Sequence, residues 1–490
     1  MITREKIFSD YRNIKVKAEE YFNDKKFEKC LAAIEAAAFL AYNFNLFYVD
    51  EDIEEMIRQI GKKYNTQQKK DKSEKLILFD SFGYDNKGLT QQYVRALIAH
   101  DVSFSYILGS DRSLHQSKNI LDELSAYPNA DIHIISDRLS RLDKIVHLNK
   151  IINEISPTRI LTHRTPWDTV GHAVFSNLES IEKFHINLTD HAFWLGKNAA
   201  DYFIEFRSYG ANISVKERKI DKTKLLHLPY YPIVTEIPFQ GFPIDIEKDK
   251  TILFTGANFY KMYGDNGKFF SLLKRILNEN QNTLLLIAGS GHQQPLDSFI
   301  KTNNFHDRIF LLGDRKDINK VFANIDIYIA TYPITGGLMG QYAALNKKPI
   351  VAYTDSSIPC NIVEEFVVTD NYQITHFTED SFCKEVSKLV NDKDYRQYAS
   401  EKVGDAALNP EIFNTNFYST IFKKNIIKPF TYYEIDVDRF ADIYLEAENN
   451  YLHFYDSIIF WYFKAVGKDI EINYYSSIFR YILKRIRGYF

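Results

Sequence analysis

The stretch FTGANFYKMYGDNGKFFSLLKRILNENQNTLLLIAGSG, residues 254–291, carries the pattern that decides the fold class. An apolar run enters a glycine turn at Gly256, a lysine follows at Lys261, and a helical segment then leads to a second apolar run and another glycine turn. Strand-to-helix turns present backbone N–H groups and the positive end of the helix, and an ammonium group nearby can neutralise phosphate charge. The stretch therefore predicts a turn that suits a nucleoside diphosphate.

On both sides of this stretch, short apolar runs alternate with amphipathic helical segments. Such alternation is typical of parallel sheets that are covered by helices on both faces. The runs are LILFD (76–80), FSYILG (104–109), DIHII (131–135), RILTH (159–163) and FHINLT (184–189), then TILFTG (251–256), TLLLIAGSG (283–291), RIFLLG (308–313), IDIYIAT (325–331) and KPIVAY (348–353). The sequence thus predicts an α/β protein with two Rossmann-like domains that face a cleft, where open α/β folds bind ligands.

The two ends of the chain lack this alternation and have helical spacing of apolar residues. A polar run at 62–75 is predicted to be a linker, and the proline-rich passage at 228–245 a connector between domains. The predicted organisation is a helical N-terminal domain, a first Rossmann-like domain, a second Rossmann-like domain, and a helical aromatic-rich extension. Their predicted bounds are 1–70, 71–235, 246–405 and 406–490.

Composition places the 490-residue chain among ordinary globular proteins, with 45% hydrophobic and 26% charged residues. A net charge of −3 gives no general attraction to nucleic acid, and three cysteines without paired spacing are typical of a reducing compartment. No apolar run approaches the ~20 residues of a membrane helix. We therefore predict a cytoplasmic protein without a nucleic-acid partner, whose 15% aromatic residues reflect either biased codon usage or stacking on carbohydrate or a membrane surface.

The last helical segment, YYSSIFRYILKRIRGYF, is predicted to be a basic amphipathic helix. Ile478, Phe479 and Ile482 fall on one face, while Arg480 and Lys484 lie toward the other. Such a helix either packs against the body of the protein or lies flat on an anionic membrane surface. Both alternatives stay open from the sequence, so peripheral contact with the inner face of a membrane is one of two predictions.

A second glycine turn lies in TYPITGGLMGQYAALNKKPIVAY, residues 331–353. Thr335, Gly336 and Gly337 stand between an apolar run and a helical segment. Small residues at such a turn let backbone amides approach phosphate oxygens closely, although glycines at a turn also serve purely structural purposes.

The region from Phe254 to Tyr353 resembles the donor-binding domain of GT-B glycosyltransferases, and most closely that of the O-GlcNAc transferases and related bacterial protein glucosyltransferases. The resemblance is carried by NFYKMYGDNGKFFSLLKRILNENQNTLLLI, in which Lys261 falls on the lysine that contacts the donor diphosphate in that family. It implies the GT-B fold and a nucleotide-sugar substrate, with no cofactor and no metal. The histidines also lack the spacing of a metal site. By the same resemblance, the first Rossmann-like domain is expected to bind the acceptor and the second the nucleotide-sugar donor.

The second turn departs from the family pattern, which has Gly-His-Thr-Thr-Gly-Met-Asp where this chain has residues 336–342, GGLMGQY. The aspartate that serves the ribose is missing there, and Gln341 is its predicted substitute. By the same resemblance, Arg315 or Lys316 is predicted to lie near the nucleobase, with an exposed loop charge as the alternative.

Two sets of residues could supply a general base. Asp190 and His191 follow a predicted strand, and a carboxylate beside an imidazole that titrates near neutral pH can deprotonate an acceptor hydroxyl. The same pair could instead cap the next helix. His163 ends another predicted strand and is the second candidate, with His172 on the helix that follows.

Three functions remain open at this level. The first is a glycosyltransferase that moves a sugar, predicted to be UDP-linked, to a glycan, lipid-linked or protein acceptor in bacterial surface polysaccharide or glycoprotein synthesis. The second is a nucleotide-sugar epimerase. The third is a noncatalytic GT-B partner of an active transferase, an alternative that the altered second turn keeps open.

Overall fold

The structure is a computed structural model that describes residues 1–65, 71–83, 89–452 and 454–486, so the predicted linker at 62–75 lies partly outside it. The strands are β1 Ser73–Asp80, β2 Phe104–Leu108, β3 Ala130–Ile134, β4 Pro157–His163, β5 Glu182–Asn187, β6 Tyr202–Glu205, β7 Leu225–His227, β8 Thr251–Gly256, β9 Thr283–Ala288, β10 Ile309–Gly313, β11 Ile327–Ile329, β12 Ile350–Tyr353 and β13 Thr375–His376.

The α-helices alternate with these strands and also occupy both ends of the chain. They are α1 Arg4–Asn23, α2 Phe27–Phe44, α3 Glu51–Tyr64, α4 Leu89–Ala99, α5 Lys118–Ser125, α6 Arg141–Ile155, α7 Thr169–Phe175, α8 Ser208–Lys216, α9 Lys268–Glu279, α10 Gln294–Thr302, α11 Ile318–Ala323, α12 Gly337–Leu345, α13 Glu379–Asn391, α14 Lys393–Asp405, α15 Pro410–Lys423, α16 Val437–Ala447, α17 Tyr455–Val466 and α18 Tyr475–Ile486.

The strands form two parallel sheets with the same topology. The first has the order β3-β2-β1-β4-β5-β6-β7, and the second has the order β10-β9-β8-β11-β12-β13. In each sheet the strand order reverses beside its first strand, which is the arrangement of a doubly wound Rossmann sheet. The predicted α/β class with two Rossmann-like domains is confirmed.

Two inner strands, one in each sheet, are buried along their whole length. Every position of β2 and β9 is buried, because helices cover both faces and each strand is an almost continuous apolar run. The helices contribute one apolar face each; in α9, for example, the buried side chains are Phe269, Leu272, Leu273, Ile276 and Leu277.

Contacts divide the chain into two compact units. The first comprises Met1–Leu228, Phe413–Tyr433 and His453–Phe490, and the second comprises Pro229–Ile412 and Glu434–Leu452. The four predicted domain bounds stay predictions. None of the helices in the described part of the chain is long and apolar enough to cross a membrane.

Helices from both ends of the chain meet in the first unit. Asp10 of α1 is buried and accepts hydrogen bonds from Lys6 Nζ at 2.6 Å, Tyr455 Oη at 2.5 Å and Tyr474 Oη at 3.1 Å. Tyr21 of α1 likewise donates to Asp469 at 2.6 Å. The N-terminal helices and the last helices therefore form one packed group.

Candidate functional sites

The second sheet has its topological switch point between β8 and β11, which pair through Leu253 with Ile327 and Phe254 with Tyr328. Both strands end at the same edge because they are parallel. Ligands of open α/β sheets bind outside the carboxyl ends of the strands at such a point. The two glycine turns of the sequence follow these two strands, so the structure brings the turns to the same edge of the sheet, and their predicted role as a donor site stays a prediction.

The glycines at these turns stand where backbones come close together. A Cβ atom on Gly256 would lie 2.9 Å from the carbonyl oxygen of Ala288, and one on Gly336 would lie 3.8 Å from the carbonyl oxygen of Gly256. Gly337 begins α12, and a Cβ there would lie 2.1 Å from Tyr230 Oη. A larger residue at Gly256 or Gly337 would have to displace its neighbour, whereas at Gly336 the distance to Gly256 is an ordinary contact between the two turns.

Lys261 lies in a short 3₁₀ turn, Phe259–Met262, that follows β8. Its backbone carbonyl accepts a hydrogen bond from Ile334 N at 3.3 Å, and its ammonium group donates to the carbonyl oxygen of Thr335 at 3.4 Å. Thr335 is buried two residues before α12. The lysine charge thus lies beside the start of a helix whose first N–H groups have no partner within the helix. This combination can hold phosphate oxygens.

Two other predicted donor residues make protein contacts of their own. Gln341 is buried in α12, where its amide nitrogen donates to the carbonyl oxygen of Phe366 at 2.5 Å. Arg315 forms a two-point ion pair with buried Asp317, at 2.7 and 2.6 Å, and also donates to the carbonyl oxygen of Gly241 at 2.8 Å. These contacts account for the guanidinium nitrogens of Arg315, so its predicted role near the nucleobase stays a prediction.

An ion cluster that the sequence did not reveal borders the first turn. Arg439 of α16 pairs with Asp355 at 2.6 Å and with Asp265 at 3.6 Å. Asp265 lies four residues after Lys261 and accepts a hydrogen bond from Tyr332 Oη at 2.8 Å, while Asp355 follows β12. The cluster joins the loops after β8, β11 and β12 to α16, which begins only at Val437, a contact that no local pattern could indicate.

The first sheet has its switch point between β1 and β4, whose last residues, Asp80 and His163, are register partners. Both side chains are buried, and His163 Nδ1 lies 3.4 Å from Asp80 Oδ1. Thr90 Oγ1 donates to Asp80 Oδ2 at 3.2 Å and lies 2.9 Å from His163 Nδ1. With Thr90 donating to the carboxylate, its oxygen accepts from Nδ1–H, and Nε2 is left as the basic nitrogen.

His163 is nevertheless enclosed. The ring of Phe82 stacks on its imidazole with 4.5 Å between ring centroids, and Nε2 is buried without a hydrogen-bond partner in the described part of the chain. An unpaired buried nitrogen is costly and is the kind of group that functional sites retain. His172, the neighbouring candidate, is fully buried in α7, and burial lowers its pKa to about 3.

Asp190 and His191 follow β5 at the same edge of the first sheet, and they contact one another. His191 Nδ1 lies 3.2 Å from Asp190 Oδ1, and Arg207 holds the same carboxylate at 2.5 and 3.0 Å. Burial alone would raise the pKa of Asp190, but the Arg207 charge and the hydrogen bonds from His191 and Arg207 hold it well below its usual range. The carboxylate stays ionised, so it can orient the partly exposed imidazole.

A second buried carboxyl group, Glu205, lies at the end of β6 beside this pair. Ser214 Oγ donates to it at 2.5 Å and Asn187 Nδ2 at 2.9 Å. Burial raises the pKa of Glu205 to about 7, even though these donors and the charge of Arg218 act in the opposite direction. Among the described residues, no three histidine, cysteine, aspartate or glutamate side chains come together in a group that could hold a metal ion.

No protein-family model matches the sequence, and no curated protein is similar to it. Solved structures are similar in fold. A variant of TarM from S. aureus, in complex with fondaparinux, α-GlcNAc-glycerol and UDP, has a TM-score of 0.52 at 9% identity, over 71% of this chain and 99% of that one. An O-GlcNAc transferase variant from Thermobaculum terrenum has a TM-score of 0.53 at 13% identity, over 85% and 78%.

HepE of Anabaena, in complex with UDP-glucose, has a TM-score of 0.52 at 13% identity, over 71% of this chain and 99% of that one. The chain has the GT-B fold. Because these identities are low, the similarity establishes the fold and leaves the chemistry to the residues. The GT-B resemblance that the sequence predicted is confirmed for the fold.

Proposed function

We propose that this GT-B protein is a glycosyltransferase that uses a UDP-sugar as donor. The observation that supports this most directly is the meeting of Gly256, Lys261 and the start of α12 at the switch point of the second sheet. An ammonium group beside the N-terminus of a helix favours a diphosphate. TarM and HepE, which share the fold, contain UDP and UDP-glucose in their structures.

The same groups would act on the reaction itself. When a sugar leaves its nucleotide, negative charge grows on the departing diphosphate, and fixed positive groups stabilise the transition state more than the bound donor. Lys261 and the first N–H groups of α12 are held in place by backbone hydrogen bonds before any ligand binds. We infer that they serve in place of a metal ion, so transfer is expected to continue in a chelator.

His191 is the proposed general base for the acceptor hydroxyl. It is partly exposed, whereas His163 is enclosed by Phe82. Asp190 fixes Nδ1 of His191 and would stabilise the imidazolium that forms when Nε2 takes the proton. His163, with Asp80 and Thr90 behind it, is the second candidate for this role.

The proposal also covers the acceptor of the sugar and the cellular setting of the reaction. We infer that the acceptor is a glycan, a lipid-linked sugar or a protein, in bacterial surface polysaccharide or glycoprotein synthesis at the cytoplasmic side of the membrane. Fondaparinux and α-GlcNAc-glycerol in the TarM complex support a carbohydrate acceptor. The proposed membrane setting depends on contact between α18 and lipid.

Binding of UDP, GDP, CMP and dTDP to the wild type, to Lys261→Ala and to Lys301→Ala tests the donor site by calorimetry. Lys301 is an exposed lysine of α10 and serves as the matched control. Loss of one charge-assisted contact is expected to weaken UDP binding by roughly 10- to 100-fold in Lys261→Ala, and to leave Lys301→Ala unchanged. A wild type that binds none of the four nucleotides would contradict the proposal and favour the noncatalytic alternative.

Hydrolysis and transfer from UDP-sugars, in the presence of a chelator, separate the remaining alternatives. His191→Ala is expected to retain UDP binding and to lose most transfer, by roughly 100-fold or more, because general base catalysis contributes that much. Unchanged transfer in His191→Ala, with a loss in His163→Ala, would move the base to His163. Isomerised UDP-sugar without any acceptor would instead identify an epimerase.

A further inference from the structure

The outer face of the C-terminal helix pair has a row of exposed apolar side chains. Ile472 is 84% exposed, Tyr475 50%, Phe479 61% and Ile482 40%. Their spacing of three, four and three residues places them along one side of α18 and of the 3₁₀ turn Ile472–Tyr474 that precedes it. We call these four residues the α18 face.

Packing within the protein uses the other side of the same helix. Tyr474, Ser477 and Ile478 are buried, and Tyr481 stacks on Phe460 of α17 with 4.5 Å between ring centroids. The sequence placed the apolar residues of this helix on one face, but the structure divides them between a buried side and an exposed side. Ile478 contacts the protein body, whereas Phe479 and Ile482 face away from it. Single exposed apolar residues are ordinary, but an aligned row of four marks a contact surface.

Charge around the α18 face is predominantly positive. From Tyr455 to Ile486, the segment that contains the face, there are five basic residues, Lys464, Lys468, Arg480, Lys484 and Arg485, against three acidic residues, Asp456, Asp469 and Glu471. Asp456 accepts from Arg480 at 2.8 Å and from Lys484 at 3.1 Å, so one carboxylate is shared by two bases. Arg485 is exposed. The helix pair therefore retains a net positive charge beside its apolar row.

We propose that the α18 face docks the protein on an anionic lipid surface. Helices with an apolar row and basic flanks lie in the membrane interface, with the apolar side chains below the headgroups and the basic groups against lipid phosphate. Tyr475 fits this placement because a phenol has an apolar ring and a polar tip. No described helix could cross a membrane, so this contact is peripheral.

A second copy of the chain is the other occupant to consider, and charge argues against it. A symmetric dimer would place the same face against itself, which would bring the basic residues of two helix pairs together. A surface of negative headgroups instead complements them. The proposal goes beyond the proposed transferase activity and does not depend on it, because the measurement is binding to lipid.

Sedimentation with vesicles of phosphatidylglycerol and phosphatidylcholine in equal parts tests the proposal on the full chain. The face variant Ile472→Ser/Phe479→Ser is compared with Ile426→Ser, which changes a residue that is 64% exposed elsewhere in the first unit. We expect the wild type and Ile426→Ser to bind, and the face variant to bind at least ~10-fold more weakly. Equal thermal unfolding midpoints establish that all three proteins are folded, and Tyr475→Ser provides a second, milder face variant.

Salt and lipid composition test the charge component. Binding should fall in high salt and on vesicles of phosphatidylcholine alone, and Arg485→Gln should weaken it on anionic vesicles only. A wild type that does not sediment with anionic vesicles would overturn the proposal, as would a face variant that binds like the wild type. A wild-type dimer that becomes monomeric in the face variant, without vesicle binding, would assign the face to self-association instead.

Discussion

Glu205 is a buried carboxyl group whose charge state should change within the physiological pH range. Its burial raises the pKa from 4.5 to about 7, so the folded protein holds this proton where the unfolded chain has released it. The carboxyl oxygens accept from Ser214 and Asn187, and the side-chain oxygen of Asn187 is buried without a partner among the described residues. A flip of the Asn187 amide group would turn that oxygen toward Glu205, so that the protonated carboxyl group could donate to it.

We predict that the protein loses stability as the pH rises from 5 to 8 and that Glu205→Gln loses less. Stability from a carboxyl group with a raised pKa is fully present below its unfolded value and disappears as the pH rises through its folded value. The contribution is at most about 3 kcal/mol, from 1.36 kcal/mol per pKa unit. Calorimetric unfolding at several pH values measures it, with Glu74→Gln, at an exposed position of β1, as the control. Parallel pH profiles for the wild type and Glu205→Gln would contradict it.

At the candidate sites, the residues that could be predicted from the sequence are those whose partners are close along the chain. Asp190 beside His191 and Lys261 after a glycine turn are local patterns. The ion pair of Arg439 with Asp355 could not be predicted in this way, and neither could the position of Thr90 between Asp80 and His163. Each contact joins segments that only the folded sheet brings together. The contact of Arg315 with Gly241 was missed for the same reason, whereas Asp317 is a local partner, two residues away, that the pattern did not single out.

At the scale of secondary structure, the ten apolar runs predicted from the sequence all became strands, whereas β6, β7 and β13 were missed. These three strands contain four, three and two residues, and β6 ends in Glu205. Such short segments have no readable periodicity. β7 and β13 are edge strands of the two sheets, and β6 lies between β5 and β7, so pairing with neighbouring strands defines all three.

The junction of β8 and β9 depends on Gly289, which follows β9 in a left-handed conformation. A Cβ atom there would lie 1.9 Å from the carbonyl oxygen of Ala257, the residue after β8. Gly241 also has a positive φ, but a Cβ atom there would meet open space. Substitutions at the two glycines therefore distinguish the cost of a left-handed backbone from the cost of a close contact.

We predict that Gly289→Ala destabilises the second unit by several kcal/mol and weakens UDP binding, since Ala257 leads into the turn that carries Lys261. Gly241→Ala should cost only about 1–2 kcal/mol, from the left-handed backbone alone. Thermal unfolding and UDP titration measure both effects. Equal destabilisation by the two substitutions would show that the close contact at Gly289 is unimportant.

At the scale of the whole molecule, the first unit depends on both ends of the chain. Its core includes Tyr455, Ile458, Ile459 and Tyr462 from α17, and Asp10 binds the hydroxyls of Tyr455 and Tyr474. Burial of each large apolar side chain contributes about 1.5–3 kcal/mol, and a domain has only about 5–15 kcal/mol of net stability.

Removal of residues 453–490 is therefore predicted to unfold the first unit and to leave the second unit able to bind UDP. Limited proteolysis with mass spectrometry would locate the cleaved region, and calorimetry with UDP would follow the second unit. Tyr455→Phe serves as the mild control, because it deletes one hydroxyl and keeps the ring. A truncated protein whose residues 1–228 resist proteolysis like the full chain would contradict the prediction.

The path of the chain also limits how such a protein can be recombined. The polypeptide passes from one unit to the other after residues 228, 412, 433 and 452, so neither unit is a continuous piece of sequence. A chimaera made by exchanging everything before or after one junction would combine parts of two different cores. Replacement of the second unit alone would require simultaneous exchange of 229–412 and 434–452. Because both units are made of separate pieces of sequence, recombination at a single point cannot transfer one whole unit and leave the other intact.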